Sequence, residues 1–311
     1  MPTIVTLTLN PCLDKATAVQ RVVSEDKLRC EEPTYDPGGG GINVSRAIKK
    51  LGGESLAVFT SGGGQGQMLQ ELLASEGLAM HPVNAHSATR ENLIVYERSS
   101  THQYRFGMPG GYIREEELQD CLDAVFAQNA DIIVGSGSLP PGVANDFYAE
   151  FAKRAHTTSA KVIVDTSGAA LEAMVGTGVY LLKPNLHELE ILSGETFEGE
   201  EQMIRVARRM IAENMAQVLV ISLGAQGAAL VTADEFVQMQ PPVVKVVSKV
   251  GAGDSMVGGI VYSLAKGDSL RDALRYGIAS GTAAVMNPGA DLCRKEDVDV
   301  LYPRVKVISE E

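Results

Sequence analysis

The sequence predicts an α/β fold on a parallel sheet, from three observations. Short β-rich runs alternate with segments of helical periodicity along most of the 311 residues. The runs read as buried strands, as those of a parallel sheet covered on both faces are. Glycine-rich and polar clusters follow them directly, where an open α/β sheet binds its ligands.

The elements support this in order. "TIVTLTL" reads as the first buried strand and runs into "LTLNPCLD", with Asn10 and Asp14 at its carboxyl end. "YDPGGGGINVSRA" places Gly38 to Gly41 before a helix, "GINVSRAIKKL", that carries Asn43. "SLAVFTS" is a strand followed by the helical "GQMLQELLASEG". "DIIVGS" leads into "GSGSLPPG", with Ser136, Ser138 and a rigid Pro140-Pro141 turn. "KVIVDTS" is a further strand, "YLLKP" opens "LLKPNLHELE" with Lys183, Asn185 and Glu188, and "VLVISLG" opens "ISLGAQGA" with Ser222, Gly224 and Gly227. Any one cluster reads equally as a plain turn, but all fall at one edge of the predicted sheet. Two stretches break the rhythm, from Ala16 to Pro37 and from Arg90 to Met108. The second, "NLIVYERSSTHQYRF", alternates like an antiparallel hairpin around Ser99 and Ser100. With no low-complexity linker and no repeat, both read as insertions into one core domain spanning 1–311, together forming a small separate sheet.

Composition limits the function. A chain that is 45% hydrophobic and 21% charged is an ordinary globular protein. Its net charge of −12 opposes general binding to nucleic acid or anionic membranes, so an anionic substrate needs a local basic grip. "MPTIVTLTLNPCLDK" lacks the basic leader of a signal peptide and no stretch approaches a membrane span, which places the protein in the cytoplasm. Cys12, Cys30, Cys121 and Cys293 have no paired spacing and no metal pattern with the histidines, so free thiols are expected. No P-loop motif occurs. Gly251-Ala252-Gly253 has Met256 where a dinucleotide fingerprint needs its third glycine, and it lies far from the start of the chain.

The densest signal is "VVKVVSKVGAGDSMVGGIVYSLAKG", Val243 to Gly267: a valine-rich run, a tight glycine turn, a lone carboxylate and an apolar helix. A helix start exposes unpaired N–H groups and the positive end of the macrodipole, which suits an anion cradle with Asp254 inside it. Alternatively, Asp254 caps the helix.

"PGGGGINVSRA" and "KVGAGDSMVGG", with "SGSLPPG" and "LLKPNLHELE" between, resemble the ribokinase-like carbohydrate kinases over essentially the whole chain. "NPCLD", "QYRFGMPG" and "VGAGDSMVGG" look most like the family's phosphosugar branch. The resemblance implies a three-layer α/β/α sandwich with a small β-sheet lid; the inserted strands are too few to bury a core alone, so a homodimer sharing their exposed edges is expected. The resemblance also implies ATP-dependent phosphorylation of fructose 6-phosphate at the 1-hydroxyl, with tagatose 6-phosphate or fructose 1-phosphate as alternative substrates. A non-catalytic sugar-phosphate-binding regulator is the alternative from another class, against which the intact Asp254 argues.

By the same resemblance Asp254 is the general base, and the amides of Gly251, Ala252 and Gly253 stabilise the transferring phosphoryl group. Asp14, Gly39, Asn43 and Ser138 look like sugar contacts, and Lys27, Arg90 and Arg105, on the inserted strands, like a phosphate grip. Lys183, Asn185, Ser222, Gly224 and Gly227 belong with the nucleotide, and Glu188, paired with Asn185, with magnesium held through water. A potassium ion is expected between "SKV" and "AVMNPGAD", at Ser248, Val250, Ala284, Asn287, Gly289 and Asp291, although Asp291 departs from the basic residue expected there from the member of the family that the chain most resembles.

Overall fold

The computed structural model describes residues 3–289 and 291–311. Fourteen strands lie among the described residues: β1 (Ile4–Thr8), β2 (Cys12–Val19), β3 (Thr34–Gly38), β4 (Leu56–Ser61), β5 (Ala79–Asn84), β6 (Arg90–Glu97), β7 (Gln103–Phe106), β8 (Ile132–Ser136), β9 (Lys161–Asp165), β10 (Val179–Leu182), β11 (Ala216–Ser222), β12 (Ala228–Val231), β13 (Phe236–Gln240) and β14 (Lys306–Glu310). The helices are α1 (Gly40–Lys50), α2 (Gly63–Ser75), α3 (Glu115–Phe126), α4 (Phe147–Ala155), α5 (Ala169–Glu172), α6 (Leu186–Ser193), α7 (Glu200–Ala212), α8 (Ala252–Ala265), α9 (Leu270–Val285) and α10 (Lys295–Leu301).

Ten strands form the main sheet in the order β14-β13-β12-β11-β10-β9-β8-β1-β4-β5. From β5 to β11 every pairing is parallel, and β12 to β14 add an antiparallel edge. Successive residues of the central strands feed opposite cores: Ile133, Val164 and Leu219 pack with α3, α4 and α7, whereas Ile132, Val134, Ile163 and Val218 pack with α1, α8 and α9. That alternation makes the fold a three-layer α/β/α sandwich, and it explains why the central strands carry apolar residues on both faces.

The chain leaves β1 for β4 and β5 on one side and later builds β8 to β11 on the other. The β1/β8 pair is thus the topological switch point, where a ligand crevice opens beyond the carboxyl ends. Asn10 and Ser138 meet there, the Asn10 Nδ2 donating to the Ser138 Oγ at 3.1 Å.

The four strands β3-β2-β6-β7 form a separate sheet. β6 and β7 are the expected antiparallel hairpin, β2 and β3 pair antiparallel, and β2 and β6 run parallel. β2 begins at Cys12, four residues before the expected boundary, so Asp14 sits on the second sheet. Lys27, expected on an inserted strand, instead lies in the connection between β2 and β3, where five successive residues from Val22 to Asp26 are exposed and no ladder forms. The hairpin tip is tied at Glu97, which accepts hydrogen bonds from the Val22 amide and from Ser99, Ser100 and Tyr104. No helix among the described residues is long and apolar enough to cross a membrane.

Candidate active site

α8 is entered through Gly251, whose φ of 71° lies in the left-handed region that glycine adopts without strain. Gly251 is the N-cap and Asp254 the third helical residue. No side chain caps the helix, so the capping alternative for Asp254 fails. The first intrahelical bond runs from the Ser255 amide to the Gly251 carbonyl at 2.8 Å, which leaves the Ala252, Gly253 and Asp254 amides without intrahelical partners.

Close helix packing brings the partner of Asp254 into place. Gly258, one turn after Asp254, lies against Ala47, one turn after Asn43; a Cβ on Gly258 would stand 2.7 Å from the Ala47 Cβ. The glycine therefore lets α8 approach α1 until the Asn43 Nδ2 donates to the Asp254 Oδ2 at 2.9 Å. Burial and the nearby Asp165 carboxylate push Asp254 up to about 6, against the Asn43 hydrogen bond and the Lys183 and Arg46 charges, which pull it down. Lys183 is buried and pairs with Asp165 at 3.1 Å. Burial alone would lower its ammonium, but Asp165 more than offsets this and holds it above the usual lysine value. A Cβ on Gly253 would lie 3.8 Å from the Lys183 Nζ, so the ammonium faces the start of α8.

The second sheet closes the other side. Asp14 accepts from the Asn92 Nδ2 at 2.8 Å and from the Cys12 thiol at 3.2 Å. Burial, and then Asp14, raise the Cys12 thiol, and Asp254 adds to the effect. Arg90 donates to the Met108 carbonyl at 3.0 Å and the Asn10 carbonyl at 3.1 Å, while its buried Nε has no partner. The Lys27 ammonium and the exposed Arg105 guanidinium have no side-chain partner among the described residues. Gly39, with φ of 120°, turns the chain into α1 beside Thr8 and Pro11.

Beyond β10, Asn185 caps α6: its Oδ1 accepts from the Glu188 amide at 2.8 Å, and the Glu188 Oε2 accepts from the Asn185 amide at 2.7 Å. This reciprocal box uses one oxygen of Glu188 and leaves the other without a partner. Ser222 bridges to Asn185, and Gly224 opens a single helical turn after β11. Gly227 has a packing reason of its own, because a side chain there would strike the Met239 carbonyl.

In the last loop the Asn287 Nδ2 donates to the Ala283 and Leu292 carbonyls, so its Oδ1 faces the other way. Ser248 and Val250 are buried nearby in sequence to the turn, and the Ser248 amide reaches the Val285 carbonyl at 3.3 Å. Asp291 is paired with Lys50 at 3.3 Å and Arg294 at 2.6 Å. Among the described residues no cluster of three His, Cys, Asp or Glu could hold a metal, so any ion would rely on carbonyls or on water. All four cysteines are free.

Two contributors carry no signal as separate motifs. Asp165 ends "KVIVD", at the same sheet edge as the other polar groups, so strand-end position could have found it. Arg46 is buried on α1 and donates to the Asn43 Oδ1 at 3.2 Å; its three-residue offset from Asn43 was the available clue.

A carboxylate beside unpaired helix amides and a buried lysine, at the switch point of a three-layer sandwich, is an arrangement able to accept a hydroxyl proton and to offset charge on an anionic group in transfer. The chain belongs to the pfkB family of carbohydrate kinases, whose family model matches residues 7–297. It is 42% identical over 304 residues to the ATP-dependent 6-phosphofructokinase isozyme 2 of Escherichia coli, covering 97% of this chain and 98% of that one. The isozyme 2 of Mycobacterium tuberculosis is 41% identical over 303 residues, covering 97% and 89%. The 1-phosphofructokinase of Bacillus subtilis is 32% identical over 305 residues, covering 98% and 99%. Phosphofructokinase-2 of E. coli superposes with a TM-score of 0.94 in complex with potassium (42% identity, 98% and 99% coverage). In complex with fructose-6-phosphate the TM-score is 0.92 (40% identity, 98% and 99% coverage). It is also 0.92 for a tetrameric inhibited form (41% identity, 98% and 99% coverage).

Proposed function

We propose that the chain transfers the γ-phosphoryl group of ATP to the 1-hydroxyl of fructose 6-phosphate, giving fructose 1,6-bisphosphate and ADP. The observation that carries this is the Asp254 carboxylate, held by Asn43 beside amides that have no intrahelical partner. The 42% likeness to an enzyme named for this reaction, over nearly all of both chains, selects the substrate. Relatives named 1-phosphofructokinase stand further off, at 32%.

Asp254 is ionised at neutral pH yet basic enough to take the hydroxyl proton. As the hydroxyl oxygen bonds to the γ-phosphorus, the bond from that phosphorus to the ADP oxygen breaks and ADP leaves with the electron pair. The amides of Gly251, Ala252 and Gly253 offset charge on the transferring oxygens. Asp14, Gly39, Asn43 and Ser138 face the sugar. Arg90, Arg105 and Lys27 grip its 6-phosphate, which suits the unpartnered Arg90 Nε and the free heads of the other two. Lys183, Asn185, Ser222, Gly224 and Gly227 line the nucleotide side.

The open oxygen of Glu188 fits a magnesium ion held through water, which when bound would neutralise phosphate charge. The Asn287 Oδ1 and the carbonyls of Ser248, Val250, Ala284 and Gly289 fit a weakly held potassium ion. Asp291 fits less directly, because Lys50 and Arg294 already neutralise it. The second sheet is too small to be stable with both edges bare, and Tyr96 on β6 and Phe106 on β7 leave apolar surface on it, with Val23 and Met108 exposed in the segments beside it, so it serves as a lid and pairs two copies of the chain.

The test is ADP release across fructose 6-phosphate, tagatose 6-phosphate, fructose 1-phosphate and fructose. Fructose 6-phosphate is expected to give the highest kcat/KM. A preference for either other phosphosugar reassigns the substrate, and binding without turnover makes the chain a regulator.

A further inference from the structure

Arg46 is 3% exposed, on the buried face of α1. Its guanidinium has two edges in use. The Nε and Nη2 edge meets the Glu76 carboxylate at 2.8 and 2.7 Å. The Nη1 donates to the Pro37 carbonyl at 3.0 Å and to the Asn43 Oδ1 at 3.2 Å. On its other side the Asn43 carboxamide donates to Asp254.

A carboxylate only accepts hydrogen bonds and a guanidinium only donates them. The Asn43 amide therefore has one orientation that satisfies both neighbours, NH2 toward Asp254 and oxygen toward Arg46. With Arg46 gone, nothing on that side would oppose a flip that set oxygen against carboxylate. We infer that Arg46 is the positioning residue of the base: it fixes the Asn43 carboxamide toward Asp254 and is itself held by Glu76. Asn43 and Arg46 lie three residues apart on α1, so a single helix turn sets their spacing. Glu76, at the end of α2, repays part of the cost of burying the guanidinium. The bond to Pro37 ties the same group to β3 of the lid.

The charges around the base are few. Asp254 is faced by Asp165 from β9, Lys183 after β10, Arg46 from α1 and the Cys12 thiol from β2. Arg46 is faced by Glu76 from α2 and Asp36 from β3, with Asp14 and Asp291 near Asp36. Arg46 thus also lowers the proton affinity of Asp254.

This inference rests on Asp254 as the base, so its first measurement, a titration, is made without substrate and stands whether or not the sugar assignment does. The Asp254 titration is followed by 13C NMR of labelled aspartate carboxyls in the full chain, its resonance assigned by its loss in Asp254→Asn. Arg46→Met is expected to move that titration up by about half a unit or more. It is also expected to cut kcat at pH 7 about tenfold with the KM for ATP unchanged. Arg46→Lys keeps the charge without the fork, so it restores the titration and only part of kcat. In an Asn43→Ala background, Arg46→Met should add little further loss of kcat. An unmoved titration and pH profile with only a lower Tm would overturn the inference. If Arg46→Met does not fold, Glu76→Gln replaces it: with its carboxylate partner gone Arg46 is held less firmly, so kcat at pH 7 should fall with the KM for ATP unchanged, and an unchanged kcat would overturn the inference.

Discussion

Asp254 is a carboxylate whose surroundings oppose its own charge. Burial and Asp165 raise it while Asn43, Lys183 and Arg46 restrain it, and the balance leaves it at about 6. Since the ionised form is the base, kcat/KM for fructose 6-phosphate should rise with pH through a limb near 6 and then level off; a flat profile from pH 5 to 8 would contradict this. The same balance has a stability consequence. A carboxyl raised on folding favours the folded state below its unfolded value, and that contribution is lost as pH rises through about 6. Asp254→Asn should therefore raise Tm by a few degrees at pH 8, with the gain gone by pH 4. Asp254 and Asn43 were legible because glycine-rich turns mark the helix starts beside them. Arg46 and Asp165 were not, because a buried ion pair is defined by partners distant in sequence: Arg46 with Glu76 and Lys183 with Asp165. Asp254 as a helix cap was open on local spacing alone, and only the backbone of Gly251 decides it.

At the scale of elements, continuous apolar runs gave β1, β4 and β8 to β11, the strands that both helix layers cover. β5 was not legible: it lies at the sheet edge, carries His81 and Pro82, and is exposed at alternate positions. β12 to β14 also escaped, as short antiparallel additions at the sheet edge. The lid hairpin was legible from its alternation, but the position of Lys27 was not, since nothing local fixes where β2 ends. The lid strands carry a prediction that separates two arginines. The Arg105 guanidinium has no side-chain partner among the described residues, so Arg105→Ala should weaken fructose 6-phosphate by about one to two decades and leave ATP unaffected. Arg90 also ties the lid to the end of β1 through the Asn10 carbonyl, so Arg90→Ala should lower kcat as well. Equal losses for sugar and ATP in both variants would remove the phosphate grip from the lid. A potassium ion behind α8 would act on a third element, the glycine turn. Replacing potassium by tetramethylammonium at matched ionic strength should then reduce kcat or raise KM, and unchanged values would remove activation by the ion.

The whole molecule is an acidic kinase domain that must hold two anionic substrates against its own field. The proposed site lies at a switch point of its sheet, where the free amides at the start of α8 and the proposed phosphate grip on the second sheet would supply the positive charge. The bare edges and apolar residues of the lid predict a dimer: light scattering at micromolar concentration should give about twice the chain mass, and Phe106→Glu on β7 should shift it toward monomer. A fully active wild-type monomer would contradict pairing through the lid. The central claim is that Asp254 accepts the proton of the attacking hydroxyl, and the most direct measurement is the kcat of Asp254→Asn with ATP and fructose 6-phosphate, beside its affinity for fructose 6-phosphate. A fall in kcat of about 10²–10⁴-fold with affinity largely kept is the predicted result. A variant that retains more than about a tenth of the wild-type kcat would contradict it.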